Sequence, residues 1–276
     1  MEFINPATKS LMDLASHKKD EYQSGEPFPN IYFDNFFNPD MLEEVLSEFP
    51  NLEKGQDIHY HNPNEVKFAS KGEHRFGEKS KHFAHFLNSQ HFLEFLSELT
   101  GIDALIPDPY FEGGGFHQIK KGGFLKVHAD FNKNKITQLD RRLNVLVYLN
   151  KDWKEEYGGH FELWTKDMKQ SKKKILPIFN RMAIFSTTDF SYHGHPDPLN
   201  CPENISRKSM ALYYYTNGRP LEEINPLNAD HLTLFRERKD GSDGVKMKFF
   251  NTAVSVIENI LPPFITKGLK RLVLKR

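Results

Sequence analysis

A single cysteine, Cys201, occurs in 276 residues, so no disulfide framework can form within the chain. A reducing, cytoplasmic setting is the matching expectation. Neither sign of charge is in excess: Lys plus Arg is 37 and Asp plus Glu is 37. No overall field then draws the chain to a polyanion, and no nucleic-acid partner is expected. Long apolar runs are missing too. Met1 to Lys18 has no basic start followed by an apolar stretch, which predicts no secretory signal. No segment approaches the ~20 apolar residues that span a bilayer. What the sequence does have is phenylalanine, 24 of them in a chain only 38% hydrophobic. That predicts an aromatic-rich core.

Local patterns divide the chain in three. Residues 1–106 read as an N-terminal helical region packing on the core. Pro29 to Asp34 reads as a short strand, and Asn38-Pro39 as an N-cap with proline at the first helical position. Leu42, Val45, Leu46 and Phe49 then share one helical face. The stretch 51–78 is polar and reads as irregular. Ser89 can cap a helix carrying Phe92, Leu93, Leu96 and Leu99, with Gly101 as its stop. From 107 to 220 short β-like runs separated by turn residues take over, the clearest being Leu143 to Leu149. Strands at this spacing without intervening helices suggest a jelly roll, making the fold mainly β with flanking helices (α+β). Residues 221–276 read as an extension of the same domain, with a helix expected from Phe249 to Leu261 and a basic tail through Arg276.

Within the β region, His128-Ala129-Asp130 is followed far downstream by His193. Alternate residues of a strand face one side, so His128 and Asp130 can point inward together. Two imidazoles and one carboxylate can hold a divalent transition metal on one face and leave the other open. His195 competes with His193 for the second imidazole. His59 and His61 form another His-x-His pair without a third ligand nearby and read as surface residues, while His117 falls near the expected barrel mouth. Arg207, in Arg207-Lys208-Ser209, can grip a carboxylate bidentately. Tyr148 sits in the clearest strand and can donate its hydroxyl to the same group. Asn144 shares its face by two-residue alternation.

Residues 122–215 resemble the catalytic domain of the prolyl-4-hydroxylase-like Fe(II)/2-oxoglutarate dioxygenases. Four pieces carry the resemblance in order: Gly123 to Asp130, Arg142 to Trp153, Tyr157 to Leu163, and Phe185 through His193-Gly194 to Arg207-Lys208-Ser209. The resemblance implies Fe(II) held by His128, Asp130 and His193, with Arg207 and Tyr148 binding the distal carboxylate of 2-oxoglutarate. Asn144, Gln118 and Ser209 join them as expected cosubstrate contacts. Oxygen is the second cosubstrate, and ascorbate a candidate reductant. Three departures stand out. Gln118 occupies the place of a tyrosine in the animal enzymes. The interval between His193 and Arg207 is long. The basic residue is Arg, as in the oxygen-sensing members. Asp130 favours hydroxylation over halogenation, because related halogenases put a small residue there.

The resemblance leaves the substrate open, between a prolyl residue of a protein and a free amino acid or a small or carbohydrate-like molecule. Phe111, Phe116 and Phe131 are candidates for the wall near the metal, with core packing as the alternative. A competing class is a non-catalytic metal-binding interaction module on the same jelly-roll scaffold. Contact of the basic tail with a membrane surface is the secondary reading for the C-terminal extension, docking on the barrel the primary one.

Overall fold

In the computed structural model, residues 3–54, 57–226, 231–245 and 247–252 are described. The N-terminal part holds helices α1 (Leu11–Gln23), α2 (Pro39–Ser47), α3 (Glu78–Leu87) and α4 (Gln90–Thr100). It also holds strand β1 (Asn30–Asp34) and a hairpin of β2 (Ile58–Asn62) and β3 (Glu65–Ala69). Next come β4 (Ile106–Pro107), β5 (Gly115–Lys120), β6 (Phe124–Ala129), β7 (Asp140–Tyr148) and β8 (Phe161–Trp164). The strands end with β9 (Ser171–Ile175), β10 (Arg181–Ser186), β11 (His193–His195), β12 (Ser206–Thr216) and β13 (Leu234–Phe235).

The strands form a curled antiparallel sheet in the order β1-β10-β7-β12-β5-β3-β6-β11-β8-β9. Its two halves face each other: Phe185 of β10 lies 4.7 Å from the His193 ring of β11 and 4.9 Å from Phe161 of β8. This is the expected jelly roll. Two-residue alternation sorts the major half. Leu143, Val145, Val147, Met210, Leu212 and Tyr214 turn outward into one core with Phe92, Phe95 and Leu96 of α4. Asn144, Tyr148, Arg207 and Ser209 are left for the inside. Many phenylalanines fill that outer core, so the aromatic surplus is mainly packing; the Phe36 and Phe37 rings sit 4.9 Å apart, and Phe37 and Phe83 likewise.

The first helices form as their residues predict. Asn38 accepts from the Asp40 amide at 3.1 Å with Pro39 at the first position of α2. Gly101 ends α4 with φ 73°. Ser89 precedes α4 without a side-chain cap bond and instead donates to the Phe86 carbonyl at 2.6 Å.

One expectation is extended and one corrected. The short strand read at Pro29 to Asp34 is β1, and it extends the major half along β10 in register Tyr32↔Ala183. Residues 51–78 are not simply irregular. The β2–β3 hairpin lies there, pairing with β5 through Phe68↔Gln118 and with β6 through Glu65↔Leu125, and so bridges both halves. Its polar inward residues hid the strand pattern.

The N-terminus of α3 follows Gly77, which has no side chain to cap it. Glu48, just beyond α2, substitutes: its carboxylate accepts from the Ser80 amide at 2.8 Å, the Ser80 hydroxyl at 2.7 Å and the Lys79 amide at 3.1 Å. Burial would raise its pKa, but these bonds hold it below the usual carboxylate value. Glu48→Ala is expected to cost about 1 kcal/mol in urea unfolding at neutral pH. A depressed pKa makes this contribution complete above the unfolded carboxylate pKa and lost as pH falls through the folded value. The wild-type and variant midpoints should therefore converge in acid.

No helix among the described residues is long and apolar enough to cross a membrane. Residues 247–252 are helical. The rest of the expected helix to Leu261 and the basic tail lie outside the described residues.

Candidate active site

Strands β6 and β11 are antiparallel neighbours with His193 directly opposite His128. That register brings two histidines, distant in sequence, side by side with ring centroids 4.5 Å apart. Asp130 follows β6 by one residue and turns to the same spot. His128 Nε2 lies 3.5 Å from its Oδ1, and His193 Nε2 lies 3.3 Å from its Oδ2. Gly194 lets the two strands meet, since a Cβ there would fall 2.8 Å from the Leu125 carbonyl oxygen.

The second layer fixes which atoms are offered. His128 Nδ1 lies 2.8 Å from the Lys126 carbonyl, and His193 Nδ1 lies 2.8 Å from the Ser191 carbonyl. Each Nδ1–H donates to its carbonyl, so each Nε2 keeps its lone pair for a cation. Asn144 Nδ2 donates to Asp130 Oδ2 at 2.7 Å, and the Arg141 guanidinium stands 3.0 Å from the same oxygen. Burial alone would raise the pKa of Asp130. Arg141 and the imidazoles outweigh burial and hold it well below the usual carboxylate range. The result is one anionic and two neutral donors, all within 4.8 Å of one another. That is the donor set of a two-histidine, one-carboxylate iron centre.

Beyond the triad the inner face is rich in donors. Arg207 is 5% exposed, and Nε donates to the Gly159 carbonyl at 2.9 Å. Gly159 is required here: φ is +72°, and a Cβ would sit 2.5 Å from Leu199 Cδ2 and 3.1 Å from Arg207 Cδ. No carboxylate pairs with Arg207 among the described residues. Burying an unpaired guanidinium costs on the order of several kcal/mol, so the site is built to receive an anion. Tyr148 lies beside it, its ring centroid 5.0 Å from the guanidinium carbon, and among the described residues its buried hydroxyl has no partner other than that guanidinium. Ser209 is buried on the same face, opposite Tyr148 and His117. The donor chemistry of these groups fits a carboxylate.

Gln118 does not join them. It pairs with Lys208 and Phe68, which puts it on the outer face, where Nε2 donates to Ser206 Oγ at 2.9 Å. The pleat of β5 decides this, turning His117 and Ile119 inward instead. His117 Nε2 lies 3.1 Å from the Gly113 carbonyl, and burial, with the Lys67 charge adding to it, pushes its pKa down to about 3. His59 and His61 stay off the site, His59 bonding the Leu52 carbonyl at 2.9 Å. Phe111 and Phe116 belong to the outer core. Phe131 lies near the metal ligands, against Arg141, whose guanidinium carbon is 4.4 Å from its ring and 3.4 Å from that of Tyr213.

Three further residues face inward, two of them missed by the sequence reading. Arg141 is the first. Strict alternation would put Arg142 beside Asn144, but the register slips between Tyr214 and Tyr215, and that irregularity swings Arg141 inside. Lys67 is the second, 3.1 Å from Glu65 and 4.8 Å from the Tyr60 ring centroid. His195 is the third: the sequence weighed it as a rival ligand, and the structure buries it one pleat beyond His193.

Residues 114–215 match the sequence model of the 2OG-Fe(II) oxygenase superfamily. Over that segment the chain is similar to the superfamily, and prolyl hydroxylases are among the proteins it resembles. It is 25% identical over 197 residues to the prolyl 3-hydroxylase OGFOD1 of Mus musculus, covering 69% of this chain. The chain spans about a third of that relative's length, since the match covers 33% of it. A prolyl hydroxylase from Trichoplax adhaerens, solved with a hypoxia-inducible-factor peptide fragment, superimposes with a TM-score of 0.56 at 20% identity. That match covers 74% of this chain and 90% of the other. A prolyl-4-hydroxylase of Pseudomonas putida gives 0.54 at 13% identity, covering 74% of this chain and 100% of that one. Both share the fold. The superfamily match and the donor set together make this a site for Fe(II) and 2-oxoglutarate.

Proposed function

We propose that this chain hydroxylates a prolyl residue of a polypeptide, consuming 2-oxoglutarate and oxygen and releasing succinate and CO2. The observation that carries the chemistry is the pairing of the His128–Asp130–His193 cluster with an unanswered buried cation, Arg207, on the facing sheet. A purely structural metal site has no need of a carboxylate seat, which sets the non-catalytic reading aside. The polypeptide substrate rests on the relatives, a named prolyl 3-hydroxylase and a prolyl hydroxylase solved with a peptide.

When bound, iron and 2-oxoglutarate supply the oxidising power, coupling oxidative decarboxylation of the cosubstrate to hydroxylation of a C–H bond. The protein's share is placement and exclusion of water. His128 and His193 present fixed Nε2 atoms. Arg141 and Asn144 keep Asp130 ionised and oriented. Arg207 and Tyr148 would hold the distal carboxylate, and the apolar residues Phe161 and Leu163 of β8 and Phe185 of β10 exclude water beside His193.

Anaerobic addition of Fe(II) and 2-oxoglutarate should produce the weak visible charge-transfer band of the chelate. In air, succinate release should then rise when proline-containing peptides are added. A folded protein without the band would refute the oxygenase reading. A band with no stimulation by any prolyl peptide would redirect the search to small molecules.

A further inference from the structure

His195 is 4% exposed, and neither of its ring nitrogens has a partner among the described residues. A neutral imidazole carries one N–H donor and one acceptor, and leaving both buried and unpaired is costly. The residue serves neither the triad nor the hydrophobic cores. Its place in the strand limits what could satisfy it.

His195 follows His193 by two residues on β11. His193 pairs with His128 and His195 with Leu125, the register slipping between them. The inner-face groups around His195 put it on the same side. His195 thus lies off the metal position, within electrostatic reach of Arg207, Lys67 and His128. Arg207 and Lys67 can only donate, and the Nε2 lone pair of His128 is the one aimed at the metal position. Lys67 is answered within its own hairpin by Glu65 at 3.1 Å. Among the described residues Arg207 has no carboxylate, and the Tyr148 hydroxyl beside it has no partner other than that guanidinium. An ordered water placed here would leave the buried Arg207 charge unanswered. One species answers Arg207, Tyr148 and His195 together: an anion with several oxygens.

We infer that His195 donates a hydrogen bond directly to a carboxylate oxygen of 2-oxoglutarate, as a second cosubstrate-binding residue beside Arg207. The inference rests on the oxygenase reading and adds to it a contact made by this chain's own His-Gly-His strand. An apolar residue of similar size at 195 would fill the space and lose the bond.

The test is binding, not turnover. The full-length protein is loaded with Mn(II) under argon and titrated with 2-oxoglutarate calorimetrically, as wild type and as His195→Ala, His195→Phe and His195→Asn. Mn(II) affinity, read by electron paramagnetic resonance, should be alike in all four. The 2-oxoglutarate Kd should weaken roughly ten-fold or more in the Ala and Phe variants, the scale of a hydrogen bond to a charged group. Asn, which keeps an N–H donor, should recover most of it. In the wild type the His195 imidazole nitrogen resonances should move on adding 2-oxoglutarate to protein loaded with diamagnetic Zn(II). If the Ala variant fails to fold, the contrast between Asn and Phe decides. A Phe variant that binds 2-oxoglutarate as tightly as wild type would make His195 a packing residue and overturn the inference. Loss of Mn(II) binding in the variants would place the imidazole in the metal shell and overturn it equally. A wild type that binds Mn(II) but not 2-oxoglutarate would instead remove the oxygenase reading itself.

Discussion

Asp130→Ala is expected to abolish substrate-coupled succinate formation and to weaken divalent-metal binding drastically. Two effects add. The site loses its only anionic ligand, leaving His128 and His193 as neutral donors for a dication. Arg141, 3.0 Å from the missing carboxylate and 1% exposed at its side chain, becomes a buried cation without its ion-pair partner, facing the metal position. Breaking a buried pair this way costs about 3–5 kcal/mol in stability. The variant should therefore also melt earlier in the absence of metal, which distinguishes it from a mutation that only removes a ligand. Succinate assays, Mn(II) titration and calorimetry read the three consequences. An unchanged rate of coupled succinate release would remove Asp130 from the metal site.

Arg207→Met should spare metal binding and eliminate productive 2-oxoglutarate binding. Removing one partner of a buried, hydrogen-bonded charge pair costs about 2–5 kcal/mol, which is roughly 30- to several thousand-fold in Kd. Methionine keeps the side-chain length among Leu199, Gly159 and Tyr148, so the protein should fold. Arg207→Lys should recover little. The Nε bond to the Gly159 carbonyl at 2.9 Å aims a planar fork, and an ammonium has neither that anchor nor the bidentate geometry. Measured by calorimetry on Mn(II)-loaded protein, a Kd within a few-fold of wild type in the Met variant would move the carboxylate seat elsewhere.

The legible parts of this chain are those where one local rule decides. His128 and Asp130 share a face because strands alternate, and Asn38-Pro39 starts a helix because the cap needs an acceptor and proline needs no donor. Tyr148, Asn144, Arg207 and Ser209 fall inward by the same counting. The illegible parts depend on register between strands remote in sequence. Gln118 could not be assigned a face until β5 was paired with β12. Arg141 enters the site through a slip between Tyr214 and Tyr215 that no count along β7 contains. The β2–β3 hairpin was hidden because inward Lys67 looks like a surface residue until the polar cavity behind it exists. Polar groups at buried strand positions mark function, and they also erase the alternation by which strands are recognised.

One strand carries a further consequence. The edge of β6 away from β11 is covered twice: the Lys126 amide donates to the Asn64 carbonyl at 2.8 Å, and the Arg236 amide to the Val127 carbonyl at 2.8 Å. β13 completes the cover, with Phe235 opposite His128 and Leu234 opposite Ala129. Two pieces of chain from opposite ends of the sequence thus use up the backbone hydrogen-bonding groups along the strand that bears His128. A visiting polypeptide cannot recognise this site by adding itself as another strand to β6, the commonest generic way for a sheet to capture a peptide. A polypeptide substrate of the kind proposed would present a side chain to the site without adding a strand to β6.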